Sequence, residues 1–404
     1  MTSGEFRIMA STASRPISAS GTEGVPLRQR ITNLLRNPLQ VAGLVIIVVL
    51  IWTIIQNLAG LAADGRPLSA ERIIRIVIFG LAQGSIYALI ALGYTLVYGI
   101  LSMINFAHSE VFMSGAYIGF FAIHSAEQSG LLFSNTLLAL LITFAVGITA
   151  AVTIAVLLER IAYRPLRGAP RLVPLITAIG ASITLQQIFL RLFGADIRVY
   201  PTVNFYVLPQ LFRLECETID GAEVCRGLDL INGRYEVMLL GMELQIRPIF
   251  FLVFFLALFM MGILWFIVQR TKIGKAMRAV AEDRKTASLM GVDVDRVIVM
   301  TFVLGAALAG AAGVLFALYN TQISAFMGFT PGIKAFTAAV IGGIGNIPGA
   351  MFGGLFLGVT ESLAPTLMGI SSQLEDVIVF GLLILVLIFR PTGIFGEVLS
   401  EKKA

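Results

Sequence analysis

Of the chain's 404 residues, 57% are hydrophobic and 13% are charged, against about 25% charged in soluble domains. That balance excludes a soluble globular protein and points to an all-α polytopic membrane protein. The net charge of +5 fits basic loops facing anionic lipid and acidic partners, and implies no nucleic acid. Two histidines and two cysteines make no metal cluster, and no nucleophile stands at a recognisable spacing from a base.

In chain order, residues 1–38 are rich in Ser, Thr, Gly and Arg and read as a disordered tail. About 20 apolar residues suffice to cross a bilayer as a helix. Such stretches are predicted at 39–61, 73–93, 94–124, 135–160, 172–193, 247–268, 297–318 and 374–389. The first has a basic front and small residues near Gly60 and Ala62, as a cleaved signal does, but its apolar run over 41–59 is longer than a signal core. Residues 334–364 are too long for one crossing and are interrupted by GGIGNIPG at 342–349. Two short helices meeting at that break are expected, for a total of about 10 transmembrane or half-membrane helices. Irregular backbone at membrane depth survives only where protein or a cavity covers it. Gly343, Gly345, Asn346, Pro348 and Gly349 are therefore candidates for a translocation path.

Basic residues set the expected sidedness. Arg28, Arg30 and Arg36 precede the first segment, Arg160, Arg164, Arg167 and Arg171 follow the fourth, and Arg390, Lys402 and Lys403 follow the last. Ten segments then begin and end inside the cell. Residues 39–72 form an added helix and linker, 73–193 and 247–395 the two parts of a core, 194–246 an extracytoplasmic loop, and 396–404 a cytoplasmic tail.

Within the second part, QRTKIGKAMRAVAEDRKTASLMGVDVDR at 269–296 is too polar for lipid and falls on the cytoplasmic side. Residues 273–281 read as a continuation of the preceding helix. Asp283 has the chemistry to cap a second helix over 284–290, and Gly291 to end it in a left-handed conformation. The expectation is a helix–turn–helix knob, with a plain solvated loop as the alternative.

Other polar groups interrupt apolar runs. Asn105, His108 and Glu110 are path candidates if they lie inside the membrane, and helix-end groups if they meet water; a proton relay through His108 is a weaker reading. Lys334 and Glu361 fall near the outer ends of the broken pair, where they can bridge it or meet the charged ends of an amino acid. Gly80, Gly84 and Ala88, and again Gly305, Ala309, Gly313 and Ala317, make small-residue stripes for close helix contact. Tyr87, Tyr94 and Tyr98 read as packed or interfacial. In the external loop, Asp220-Gly221 is a strong hairpin turn. Counting outward from it sets Cys216 opposite Cys225 at a non-hydrogen-bonded pair, where alpha carbons about 4.5 Å apart permit a disulfide.

GSIYALIALGYTLVYGILSMINFAHSEVFMSGAY at 84–117, ERIAYRPLR at 159–167, GKAMRAVAEDRKTASLMGVDVDRVI at 274–298 and AFTAAVIGGIGNIPGAMFGGLFLGVTESL at 335–363 together resemble the permease subunits of ABC importers for branched-chain amino acids. The similarity is to the smaller permease of the high-affinity leucine, isoleucine and valine system, and covers about 75–395. It implies a second homologous permease as partner, two cytoplasmic ABC ATPases, an extracytoplasmic substrate-binding protein and a location in a prokaryotic inner membrane. It also implies that Glu282, Asp283, Arg284, Lys285, Ala287, Ser288, Leu289 and Gly291 form the coupling helix that sits in an ATPase groove. No G-x-x-x-x-G-K-[ST] occurs in the chain, so ATP and Mg belong to the ATPase partners and no cofactor is expected here. A same-architecture permease for amides or urea, and a stand-alone secondary transporter, are the alternatives. The chain before residue 73 and the loop at 200–240 depart from the family pattern.

Overall fold

The computed structural model describes residues 47–49, 51–57, 59 and 69–396, apart from 171, 204, 208–214, 220, 221, 227, 240 and 241. The expected tails at 1–38 and 397–404, with Arg28, Arg30, Arg36, Lys402 and Lys403, lie outside the described residues. So do most of the linker after the first apolar segment, and Arg171.

The body begins with α1 (Ala70–Leu101), capped by Ser69 and continuous for 32 residues. This corrects the expected division at 93/94. Gly93 reads as a breaker but sits mid-helix, where its missing side chain admits another residue; a Cβ there would lie 2.0 Å from Nε2 of His108. The chain turns instead at Ser102, whose φ of 53° is left-handed and whose N–H bonds to the Tyr98 carbonyl. Then follow α2 (His108–Gln128), α3 (Thr136–Leu158) with a π-helical turn at Glu159–Tyr163, and α4 (Leu172–Phe193).

Between α4 and α5 (Pro248–Arg270) the chain forms short strands. β3 (Glu215–Ile219) and β4 (Ala222–Arg226) pair with Cys216 opposite Cys225; the turn residues and the cysteine side chains lie outside the described residues. β6 (Tyr235–Leu239) and β7 (Met242–Ile246) make a second hairpin, and β2 (Tyr206–Val207) pairs with β5 (Leu228–Asp229). β1 (Arg198–Val199) pairs antiparallel with β8 (Gln322–Ile323) from the far part of the chain. Tyr200 fastens the join, its N–H donating to the Thr321 carbonyl at 2.8 Å and its buried hydroxyl to the Ala116 carbonyl at 2.7 Å.

The rest is α6 (Lys272–Glu282), α7 (Arg284–Leu289), α8 (Val294–Asn320), α9 (Phe329–Gly342), α10 (Ile347–Met368) and α11 (Glu375–Phe389). Seven of the described helices are long and apolar enough to cross a bilayer, so this is a multi-pass membrane protein. The expected pair of short helices at 334–364 is corrected to one short helix of 14 residues and one of 22. Hydropathy missed the extra turns because polar and small residues such as Thr330, Pro331 and Gly332 open α9.

α1 is the centre of the body and α10 lies against it at backbone distance. A Cβ on Gly358 would stand 2.3 Å from the Gly84 Cα, and one on Gly354 would stand 2.4 Å from the Ala88 Cα. In lipid, helices gain little from excluding water, so such close backbone approach supplies the attraction. The second stripe also packs internally: a Cβ on Gly313 would meet the Phe112 carbonyl at 2.3 Å. α4 and α11, by contrast, leave Ile176, Ile183, Leu192, Val377 and Ile384 exposed, a surface suited to lipid or another subunit. Replacing Gly358 with Leu is expected to remove folded protein from the membrane fraction. Leu at Gly180, where nothing lies within 4 Å of a Cβ, is expected to leave both membrane level and detergent melting temperature unchanged.

Candidate functional site

The knob is two capped helices. α5 stops because Thr271 turns extended, its hydroxyl accepting from the Gly274 N–H at 3.1 Å. The expected continuation of the preceding helix is thereby corrected: α6 is a separate helix folded back on the end of α5. Gly274 allows the fold, since a Cβ there would lie 2.1 Å from the Val268 carbonyl, and the Arg278 guanidinium donates to that carbonyl. Met277 and Val280 are buried beneath it.

Asp283 then caps α7. One carboxylate oxygen accepts from the Lys285 N–H at 2.8 Å, the other from the Thr286 hydroxyl at 2.5 Å. The Thr286 hydroxyl, with the backbone N–H groups of Thr286 and Lys285, holds this carboxyl below the usual aspartate range. The charged cap is therefore intact at neutral pH and lost only as pH falls through that lowered value. Gly291, at φ 82°, closes the helix with an N–H bond to the Ser288 carbonyl at 3.0 Å. Ala287 is buried, whereas Glu282, Asp283, Lys285, Ser288 and Gly291 are exposed. Leu289 and Met290 are 87% and 80% exposed, two adjacent apolar side chains at the tip of a polar element.

Arg284 joins the knob to the body. Its Nε and Nη2 donate to the Ile100 carbonyl at 3.2 and 2.6 Å. That carbonyl belongs to the last turn of α1, which lacks partners within its own helix and carries partial negative charge. Beside it, Arg167 donates to the buried Glu159 and to Asp295, and Arg164 donates to Asp295 at 2.7 Å. Sequence reasoning placed Arg284 in the knob but missed what it holds. Arg284 and Ile100 lie 184 residues apart, and Arg167 and Asp295 128, beyond any local pattern.

Asn105, His108 and Glu110 do not act as one group. The Tyr163 hydroxyl donates to Asn105 at 2.5 Å, closing the turn after α1. His108 packs beside Gly93, eight residues and about 12 Å back from the end of α1, against the Tyr94 ring at 5.0 Å. The 102–107 segment therefore folds back into the bundle, and α2 begins inside it. Glu110 faces α4, accepting from Gln186 at 2.8 Å and from Ser182 at 3.2 Å. His108 and Glu110 point to different helices, which removes the geometric basis for a relay between them.

The glycine break lies at the same end of the bundle as the knob. Gly343 and Gly345 have φ of 106° and 95°. Asn346 caps α10 by accepting from the Gly349 N–H at 3.0 Å, with Pro348 in the first turn. The chain after α11 seals the break: Ile394 donates to the Ile341 carbonyl at 2.7 Å, and Asn346 donates to the Phe395 carbonyl at 3.0 Å. Gly345 faces Gly99 in the last turn of α1. Gly349 is helical, and its constraint is the Gly342 carbonyl, 2.4 Å from where a Cβ would stand.

Lys334 and Glu361 meet. Lys334 Nζ lies 2.6 Å from Glu361 and 2.6 Å from Asp376, with Glu375 at 3.6 Å. Gln83 donates to the same Glu361 oxygen at 3.0 Å and the Tyr87 hydroxyl approaches it at 3.3 Å. Four helices thus share one charged cluster, buried at Lys334 and Glu361 and open to solvent at Asp376. Asp376, Gln83 and Tyr87 were missed as partners because each looks ordinary in its own segment.

The structure thus presents a capped, partly apolar knob tied to the central helix of a multi-pass body. The family of branched-chain amino acid transport system permease components matches residues 76–387. This chain belongs to that family. It is 46% identical to the high-affinity branched-chain amino acid transport system permease protein BraD of Pseudomonas aeruginosa, over 80% of this chain and 95% of the relative. It is 43% identical to LivH of Salmonella typhimurium and 42% identical to LivH of Escherichia coli K12, each over 80% of this chain and 95% of the relative. A fructose import permease protein, FrcC of Rhizobium meliloti, matches at 35% over 31% of this chain and 36% of its own length. No solved structure matches.

Valine at Gly345 would be forced into a left-handed conformation costing about 1–2 kcal/mol. Uptake by the Gly345→Val permease is expected to fall while docking of the receptor persists; if both remain at the parent level, the break has no role in passage.

Proposed function

We propose that the protein is the smaller of two permease subunits in an ATP-driven importer for branched-chain or other neutral amino acids, set in the inner membrane of a prokaryote. A second homologous permease completes the channel, two cytoplasmic ATPases bind ATP and Mg, and an extracytoplasmic binding protein delivers substrate. The relatives are branched-chain amino acid permeases, which supports the substrate class, and the absence of a phosphate-cradling motif in the chain supports the division of labour.

The observation that carries the reading is α7. It is capped at Asp283, closed at Gly291, presents Leu289 and Met290 to a partner, and is hooked by Arg284 to the end of α1. A groove in the ATPase that grips α7 pulls on the Ile100 carbonyl and thereby on the helix against which α10 is packed. Proline at Ala287 removes the N–H bond to the Asp283 carbonyl and costs about 3 kcal/mol in a helix interior. The Ala287→Pro importer is expected to reach the membrane and lose uptake; normal uptake at matched membrane levels would refute this role for α7. Arg284→Ala, which leaves α7 folded, is expected to lower substrate moved per ATP hydrolysed, measured in vesicles with loaded receptor.

A further inference from the structure

At the end of the bundle opposite the knob lies a 660 Å³ cavity, within the about 300–1,000 Å³ of small-molecule sites. Its walls come from the first turns of α1, the start of α5, the β6–β7 hairpin, the last turns of α10 and the approach to α11. α1 is 32 residues and so about 48 Å long. A cavity at its start is therefore on the extracytoplasmic side if the knob faces the ATPases.

Two polar atoms on residues lining this cavity are buried without a hydrogen-bond partner among the described residues: Oε2 of Glu361 and Nε of Arg247. The other Glu361 oxygen is already engaged by Lys334, Gln83 and Tyr87, and the residue is 1% exposed. An unmet carboxylate oxygen at that depth is costly unless something donates to it. Lys334 does not belong to Glu361 alone, because it is shared with the half-exposed carboxylates of Glu375 and Asp376; of the other basic residues that line the cavity, Arg75 is paired with Glu71. Arg247, from the other side, has its guanidinium 5.6 Å from the centre of the Phe250 ring and takes part in no ion pair among the described residues. Phe79 and Phe250, in edge contact at 5.7 Å, supply an apolar surface in the same cavity.

An α-amino acid with an aliphatic side chain presents one ammonium, one carboxylate and one apolar group, which is the set this cavity lacks. Resting on the import reading above, we propose that the cavity is a transit site for such a zwitterion, with Glu361 Oε2 accepting from the ammonium and Arg247 donating to the carboxylate. Amides and urea carry neither charge and leave both atoms unmet.

The test uses the whole importer in proteoliposomes with its receptor. Ser362 lines the cavity, and a Ser362→Cys variant reports on it through its rate of modification by an external methanethiosulfonate, mapped by mass spectrometry to residue 362. Leucine is expected to slow that modification in S362C and to lose the effect in S362C/R247Q. Isoamylamine and isocaproate, each lacking one charge, are expected to give no protection. Removing one member of a buried charge pair costs about 2 kcal/mol or more, so leucine uptake by R247Q alone should fall about thirtyfold or more, with partial recovery in R247K. The proposal is overturned if residue 362 is never modified, if leucine gives no protection, if protection survives R247Q, or if acetamide protects as well as leucine. Leucine uptake by S362C without protection would reject the site and keep the import reading. No leucine uptake by the parent importer would reject the import reading itself.

Discussion

The contact on which this structure most depends is backbone against backbone, where α1 and α10 meet at Gly84, Ala88, Gly354 and Gly358. No side chain separates the helices there. The consequence reaches well beyond packing. Glu361, one turn past Gly358, is brought against Gln83 and Tyr87, and α9 and α11 are then recruited through Lys334 and Asp376. A bulkier residue at the crossing would part the helices and dissolve the charged cluster with them.

The two ends of α1 are held by different physics. At one end Arg284 grips a carbonyl, aided by the Arg164, Arg167 and Asp295 pairs, of which Asp295 and Arg164 are each 54% exposed. Exposed pairs of this kind contribute little stability and are easily rearranged. At the other end the Lys334–Glu361 pair is almost fully buried. Breaking such a pair strands a charge in a poor solvent, so it fixes geometry more than it adds stability. The knob end is thus held by mostly exposed pairs around one buried pair, Arg167 with Glu159, and the far end by a buried pair alone.

Much of this was legible in the residues. Hydrophobic runs placed most helices within a few residues, because lipid-grade apolar stretches leave little ambiguity. Cap chemistry at Asp283 and Gly291 delimited α7, and alternate pairing from Asp220-Gly221 set the β3–β4 register. What failed was the treatment of small residues. The 93/94 division falls at Gly93, a close-approach site inside one helix, and the 342–349 interruption includes Gly349, which is already helical. A glycine signals that something is near without telling whether the backbone bends or a neighbour intrudes. The Arg284 grip and the bonds of Arg164 and Arg167 to Asp295 are illegible because they join groups more than a hundred residues apart.

The short β1–β8 ladder has a mechanical meaning. Residues 198–200 join α4 to the strand-forming segment, and residues 321–323 lie between α8 and α9. Two strand pairs and the Tyr200 N–H bond to Thr321 join these stretches into one piece, and the tyrosine hydroxyl pins that piece to Ala116 of α2 like a dowel. The chain that leads into α9, the helix that carries Lys334, is thereby anchored to the exit of α4 instead of hanging as a slack loop.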